Sequence, residues 1–302
     1  MRRYLAFGLQ WESAIHLAQF AESAPSQVAP DIHVGLIAAA PAARQAGVRW
    51  GRSEVYADGF RFHADQFAIF DFFAPDRLVV VPGAAWVGQM PGFFYGTVAA
   101  AIVAFNNGIP MHGSAVQMHG SAMLVCGRSG LGKSSIAAGL VRRGASLISD
   151  DLSCLYFDEH KPPRLYAGRT NVRLGAAAAQ LAADAGVPST ACGQSAAGKH
   201  LMAMPMTDPG AGIALTSLVF LGVQGQTAPC QDDLRAHRQL MANFFRPGLM
   251  GRLPGHATRI GQTMNLDPGV RIRELQVRLP LDGAMVEAMA QHLLEFHCND
   301  RN

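Results

Sequence analysis

The chain has 302 residues, 49% of them apolar and 16% charged, which supplies a core for two ordinary domains and excludes a disordered tail. Its 25 basic and 22 acidic side chains are interspersed to a net charge of +3, which argues against broad electrostatic capture of nucleic acid. Only three of the basic residues are lysines (Lys133, Lys161 and Lys199), so a lysine inside a motif carries unusual weight.

The first ten dozen residues change character once. Behind Met1-Arg2-Arg3 an apolar run breaks at Gln10, Trp11 and Glu12, too early for the core of a signal peptide. From residue 4 to about 91, short apolar and aromatic runs at 4–9, 33–38, 60–63, 67–73 and 78–81 alternate with turn residues and predict a β-rich region. An alanine-rich helix is expected at 95–106, stopped by Asn107-Gly108-Ile109-Pro110. The apolar stretch at 98–105 is far short of the roughly 20 residues of a membrane helix, so neither membrane nor nucleic acid is an expected partner.

Next come two apolar runs, 114–117 and 122–126, separated by the turn residues 118–121. A glycine-rich loop follows, then a helix at 134–143 closed by Gly144, and a strand at 146–149 ending in Asp150-Asp151. Further on the pattern predicts a helix at 176–185, a buried strand at 214–221, an amphipathic helix at 232–245, a strand at 270–277 and a closing helix at 283–296. The five cysteines (Cys126, Cys154, Cys192, Cys230 and Cys298) are scattered, with no CxxC pair and no metal-ligand spacing. That usage fits a reducing compartment, and the sequence predicts a cytoplasmic protein.

The loop Gly127-Arg128-Ser129-Gly130-Leu131-Gly132-Lys133-Ser134, with Ser135 in the same first helical turn, matches G-x-x-x-x-G-K-[ST]. Its glycines permit positive φ and close backbone approach, so successive N–H groups can cradle phosphate oxygens at the positive end of a helix. In such a loop Lys133 reaches the β/γ-phosphates of ATP and the Ser134 hydroxyl ligates Mg²⁺. The alternative is a plain glycine-rich turn, but the strand before the loop and the helix after it are the context the motif requires. Asp150 and Asp151 are either a solvated turn or, beside such a loop, a metal ligand and a proton acceptor. As neighbours in an extended segment they point opposite ways and so take different roles. His112 and His119 sit in the repeated triplet Met-His-Gly; His119 is expected in a turn, and a lone histidine is more often structural than functional.

The stretch 109–155 resembles the catalytic domain of the HPr kinase/phosphorylase family. The resemblance rests on His112-Gly113 lying 15 residues before Gly127, on the loop itself, on Arg142-Arg143-Gly144, and on the acid pair. It implies an α/β fold of the phosphoenolpyruvate-carboxykinase-like P-loop kinase type. A smaller β-rich domain at 1–92 would precede a catalytic domain at 93–302. It also implies phosphorylation of a serine hydroxyl by ATP with Mg²⁺. Asp150 would be the base, Ser134 and Asp151 the Mg²⁺ ligands, and His112 and Lys133 would lie in the active site near the phosphates. The family has a downstream Glu-Arg segment serving a metal and reverse phosphorolysis. Its counterpart here is 164–175, with Arg169 and Arg173, but no glutamate lies between Glu159 and Glu274.

The opening 4–15 is similar to HPr-kinase-like proteins of lasso-peptide biosynthesis, which phosphorylate a precursor peptide on its terminal serine. That similarity implies a peptide acceptor held by the β-rich first third. The alternatives are a kinase of HPr or another carrier protein, a nucleotide-sensing regulator that transfers nothing, and a P-loop ATPase switch using Arg246 as its arginine finger. A homo-oligomer is compatible with each of these.

Overall fold

The protein is described by a computed structural model over residues 1–39, 41, 44, 47–158, 161–184, 190–194, 198–224, 233–279 and 281–298. β1 (Arg2–Ala6) and β2 (Leu9–Ser13) form a hairpin across Phe7 (φ 57°) and Gly8 (φ 77°), the pair of positive φ values that two-residue turns need to match strand twist. The run expected at 4–9 is therefore two strands and a turn. Phenylalanine at a left-handed position carries no turn signal. It is held there by tertiary contacts, because its N–H donates to the Ala167 carbonyl at 2.7 Å and its own carbonyl accepts the Tyr156 hydroxyl at 2.7 Å.

β3 (Ala21–Ser23), β4 (Ile32–Leu36), β5 (Val48–Trp50), β6 (Ser53–Tyr56), β7 (Gly59–Ala64), β8 (Ala68–Phe73) and β9 (Arg77–Pro82) complete a sheet in the order β3-β1-β2-β4-β9-β8-β7-β6-β5. Alternate residues Phe60, Phe62, Phe70, Phe72, Leu78 and Val80 turn inward, as the period-2 pattern dictates. A π-helical turn, Phe94–Val98, leads into α1 (Ala99–Phe105), and every residue of the two but Phe105 is buried. Phe105 packs on Phe60 and Phe72, while Phe94 packs on Trp11, Phe20 and Phe70.

β10 (Ile109–Met111), β11 (Gly113–Met118) and β12 (Ser121–Gly127) follow, with the expected hairpin turned by His119 (φ 49°) and Gly120 (φ 80°). Then come α2 (Lys133–Arg142), β13 (Ser146–Ser149), β14 (Ser153–Tyr156), β15 (Arg164–Leu165), β16 (Asn171–Leu174) and α3 (Ala176–Asp184). The chain continues with β17 (Thr190–Gln194), β18 (His200–Ala203), β19 (Ile213–Val223), α4 (Asp233–Ala242), α5 (Pro247–Met250), α6 (His256–Met264), β20 (Arg271–Val277) and α7 (Gly283–Cys298). The helix limits expected at 185 and 232 lie outside the described residues, as does Cys230.

The central sheet runs β10-β14-β15-β19-β12-β11-β13, with β20 also on β19; β12, β19 and β20 are parallel. β16, β18 and β17 form a small third sheet. The molecule is thus α/β with mixed sheets and a β-rich N-terminal region. The strand that ends in Asp150 does not lie beside β12. It pairs with β11, which intervenes, so β12 and β13 deliver their ends to the same side with one antiparallel strand between them.

Side chains of β12 alternate between two cores. Ala122, Leu124 and Cys126 join one continuous core with α1 and the N-terminal sheet, running from Tyr4 to Val270. Met123 and Val125 face α2 and α7. The boundary expected at residue 92 falls within the chain that feeds the first core. No helix among the described residues is long and apolar enough to cross a membrane.

Candidate active site

The glycine loop connects the end of β12 to the start of α2. Gly127 (φ 152°), Gly130 (φ 89°) and Gly132 (φ 87°) all have the positive φ that favours glycine. A Cβ on Gly132 would lie 2.1 Å from Leu281 Cδ1 and one on Gly127 2.9 Å from Leu221 Cβ, whereas the position at Gly130 is open to 4 Å. Gly132 is also the N-cap of α2, and no side chain caps that end, which leaves the first-turn N–H groups for an anion. The loop therefore packs closely on its inner side and is open on the other, as a phosphate cradle must be.

Lys133 is folded into this loop and only 6% exposed. Its three ammonium protons match three acceptors: the carbonyls of Gly127 at 2.7 Å and Arg128 at 3.1 Å, and Nε2 of His112 at 3.0 Å. Since Nε2 accepts, the ring proton sits on Nδ1, which donates to the Asp151 carbonyl at 3.2 Å and lies 3.5 Å from Asp151 Oδ1. Burial, followed by the Lys133 charge, pulls the imidazole below its ordinary pKa; burial pulls the ammonium down as well.

The two acids sit in unlike surroundings. Asp150 is 1% exposed, and its Oδ1 accepts the hydroxyls of Ser134 at 2.7 Å and Ser114 at 2.6 Å, while Oδ2 accepts the backbone N–H of Arg173 at 3.0 Å. Asp151 adopts a left-handed backbone (φ 70°), a strained choice for aspartate that turns its carboxylate the other way. That carboxylate is 27% exposed and lies 3.3 Å from the Arg173 guanidinium and 4.0 Å from that of Arg169. Arg169 is 1% exposed, and burial first and Arg173 second pull it down to about 10, against the opposing charge of Asp151. The Nε atoms of both arginines are buried without a hydrogen-bond partner.

Every residue singled out in the sequence at 112, 127–135, 150 and 151 thus gathers at the ends of β10, β12 and β13. His119 stays in its hairpin turn, away from them. Arg246 does not end a helix: α4 stops at Ala242, and Arg246 lies beyond it in a left-handed conformation (φ 50°, ψ 67°). Ser114, unmarked in the sequence, joins the site two residues after His112, and its place directly behind His112-Gly113 is the one signal it gave. Residues 243–245 were also missed. The Asn243 carbonyl accepts the His112 N–H at 2.7 Å, and the Phe245 ring lies 6.2 Å from the imidazole, through a pairing with β10 that no local pattern announces. Among the described residues, no three His, Cys, Asp or Glu side chains converge as a metal-binding group.

Residues 104–172 match the family described as HPr Serine kinase C-terminal domain, a span that takes in His112, the glycine loop, both acids and Arg169. Over these residues the chain is similar to that domain. A solved structure of the Hpr(Ser) kinase/phosphatase from Coxiella burnetii aligns at 13% identity, over 63% of this chain and 94% of that one, with a TM-score of 0.30. No curated protein matches.

Proposed function

We propose that the protein is an ATP-dependent kinase that phosphorylates a serine hydroxyl of a peptide or small protein, on a catalytic unit of the phosphoenolpyruvate-carboxykinase-like P-loop type. The observation that carries this reading is the 2.7 Å bond from Ser134 to Asp150, which joins the last residue of the phosphate-loop motif to the acid at the end of β13. The open side of the loop at Gly130 and the uncapped start of α2 fit a polyphosphate. Residues 127–135 would hold it, with Lys133 exchanging its carbonyl and imidazole contacts for phosphate oxygens. Ser134 and Asp150 would hold Mg²⁺, which supplies charge neutralisation between the β- and γ-phosphates.

We further propose that the acids divide their work in the reverse of the order the resemblance implies. Asp150 is 1% exposed with both oxygens engaged by protein donors, one of them the Ser134 hydroxyl, a setting that suits sharing a cation with Ser134 better than receiving the proton of a substrate hydroxyl. Asp151 is partly open, and its carboxylate lies beside the guanidinium groups of Arg173 and Arg169. In the transfer, the serine Oγ bonds to the γ-phosphorus, the bond to the β,γ-bridging oxygen breaks, ADP leaves, and the serine proton passes to Asp151. A strongly paired carboxylate suffices for this, because phosphoryl transfer depends more on positioning and charge than on proton abstraction. His112 holds Lys133 in place until the phosphates replace it, and its Nδ1–H contact to the Asp151 carbonyl positions that acid.

As acceptor we propose a lasso-type precursor peptide ending in serine. In support, the hairpin of the similar opening packs through Phe7 on residues 167–168, next to Arg169. HPr or another carrier protein is the alternative acceptor. Mass spectrometry of both candidates after incubation with Mg-ATP tests the reading. A phosphoserine on the peptide supports it, one on the carrier alone replaces the acceptor, and ATP binding with neither product favours a nucleotide sensor.

A further inference from the structure

A second opening lies behind the phosphate site, between the β5–β6 hairpin and the turn 246–249. It is a cleft of about 470 Å³ whose lining includes Trp50, Arg52, Phe62, Phe93, Thr97 and Arg246, and among the described residues no aspartate or glutamate lines it. Its floor is aromatic and its rim cationic. Arg252 lies 3.8 Å from the Trp50 ring and donates to the Gly248 carbonyl at 2.6 Å; Arg52 lies 5.6 Å from the Phe93 ring and pairs with Asp65 at 2.7 Å. Gly248 is where the two walls meet, since a Cβ there would come within 2.5 Å of the Trp50 ring.

Arg246 stands apart from these paired cations. Its guanidinium lies 5.8 Å from the Phe245 ring and forms no ion pair among the described residues, and its backbone is held in the left-handed region that arginine rarely adopts. Such an outlier persists only where its surroundings fix it, and here both neighbours are fixed: the Phe245 N–H donates to the Pro110 carbonyl at 2.8 Å and Pro247 opens α5. Phe245, the residue before Arg246, is the ring facing His112, so the cleft residue Arg246 is one residue along the chain from the wall of the candidate site. Beside the cleft runs β5, an edge strand with all three residues exposed, which offers backbone groups to an extended chain.

We propose that this cleft is the docking site of the acceptor polypeptide, which enters extended along β5 and places acidic side chains near its reacting serine against Arg246. The inference rests on the kinase reading and deepens it: the acceptor class becomes a terminal serine preceded by carboxylate side chains. Of the two arginines lining the cleft, Arg52 is already paired with Asp65, which leaves Arg246 to select for an anionic partner, and the aromatic floor supplies apolar contact area, the pairing that makes a peptide groove specific.

The test uses the full-length protein and three N-terminally fluorescein-labelled decapeptides, identical except that the single, C-terminal serine is preceded by Glu, Gln or Lys residues. Anisotropy measures binding without nucleotide, and phosphate transfer is followed in parallel. The proposal predicts tightest binding of the Glu peptide. Arg246→Glu should weaken it at least tenfold and favour the Lys peptide, with melting temperature and ATP affinity unchanged. Trp50→Ala should weaken all three peptides. Equal binding of the three, or a Glu preference that survives Arg246→Glu, overturns the proposal even if transfer occurs and the kinase reading stands. Charge-selective binding without any transfer supports the cleft and sinks the kinase reading. A change of oligomeric state on Trp50→Ala, with peptide binding unmoved, would make the cleft an interface between copies and also overturn it.

Discussion

The phosphate loop and the cleft behind it treat charge in opposite ways. Around the loop, Lys133 and Asp150 are almost fully buried, and their donors and acceptors are matched one for one by protein atoms. In and beside the cleft, Arg52 and Arg252 lie over the faces of Phe93 and Trp50, and Arg246 has no carboxylate partner among the described residues. A buried network that is internally satisfied is rigid before its ligand arrives and loses heavily when one member is removed. Exposed cations over rings can change partners at little cost, which suits a surface that must recognise and release a polypeptide.

The most drastic way to break the comparison is to separate the two regions. Phe94, Tyr95 and Val98 are buried with Trp11, Phe20 and Phe70 in one core, so truncation before residue 93 would strip that core of its aromatic half. The truncated chain is expected to lose cooperative thermal unfolding, and a sharp melting transition in the fragment would show the two regions to be separable. Next in size is Lys133→Ala, expected to reduce transfer by about 10³-fold or more, since it removes the charge on the phosphates. Its melting temperature should fall only modestly, because the desolvation cost of the buried cation leaves with it and offsets part of the loss of its three contacts.

The acids sharpen the comparison further. Asp151→Asn should lower the transfer rate by about 10²–10⁴-fold, the usual worth of a positioned proton acceptor, with Mg²⁺ dependence retained. Asp150→Asn should lose transfer together with the Mg²⁺ response. It should also destabilise the fold by about 1–3 kcal/mol, because an amide cannot accept from two hydroxyls and a backbone N–H on both of its ends. Urea unfolding of both variants distinguishes them, and equal, small effects on rate and stability would return the pair to a solvated turn.

How much of this the sequence carried follows the same division. The loop, its lysine and the acids are legible because a phosphate cradle is built from local backbone geometry, and the strand and helix flanking it have their own periodicity. Most long strands and helices follow for that reason, as with the runs at 214–221 and 283–296. Three features were hidden. The turn at Phe7-Gly8 depends on tertiary hydrogen bonds to Ala167 and Tyr156. The placement of β11 between β12 and β13 is a matter of long-range pairing. The cleft is assembled from residues 50–53, 93–97 and 246–249, each bland in isolation.

The smallest expected effect concerns pH. The imidazole of His112 is held below its ordinary range by burial and then by Lys133, so the unfolded chain binds a proton near pH 6.5 that the folded chain refuses. Its contribution to stability is complete above that pH and is lost as pH falls below it. Melting temperature should therefore decline from pH 7.5 to 5.5, and His112→Gln should flatten part of the slope. His256, also held low by burial, contributes with the same sign and stays in the variant. A slope unchanged by His112→Gln would count against the Lys133–His112 contact.

The central claim is that the site moves a phosphoryl group from ATP to a serine rather than to water or nowhere. Quantifying ADP, free phosphate and phosphoserine together, with the full-length protein, Mg-ATP and the Glu peptide ending in serine, tests it most directly. One phosphoserine per ADP with no free phosphate, lost in Lys133→Ala, is the predicted result. ADP with stoichiometric free phosphate, or bound ATP left intact, would contradict it.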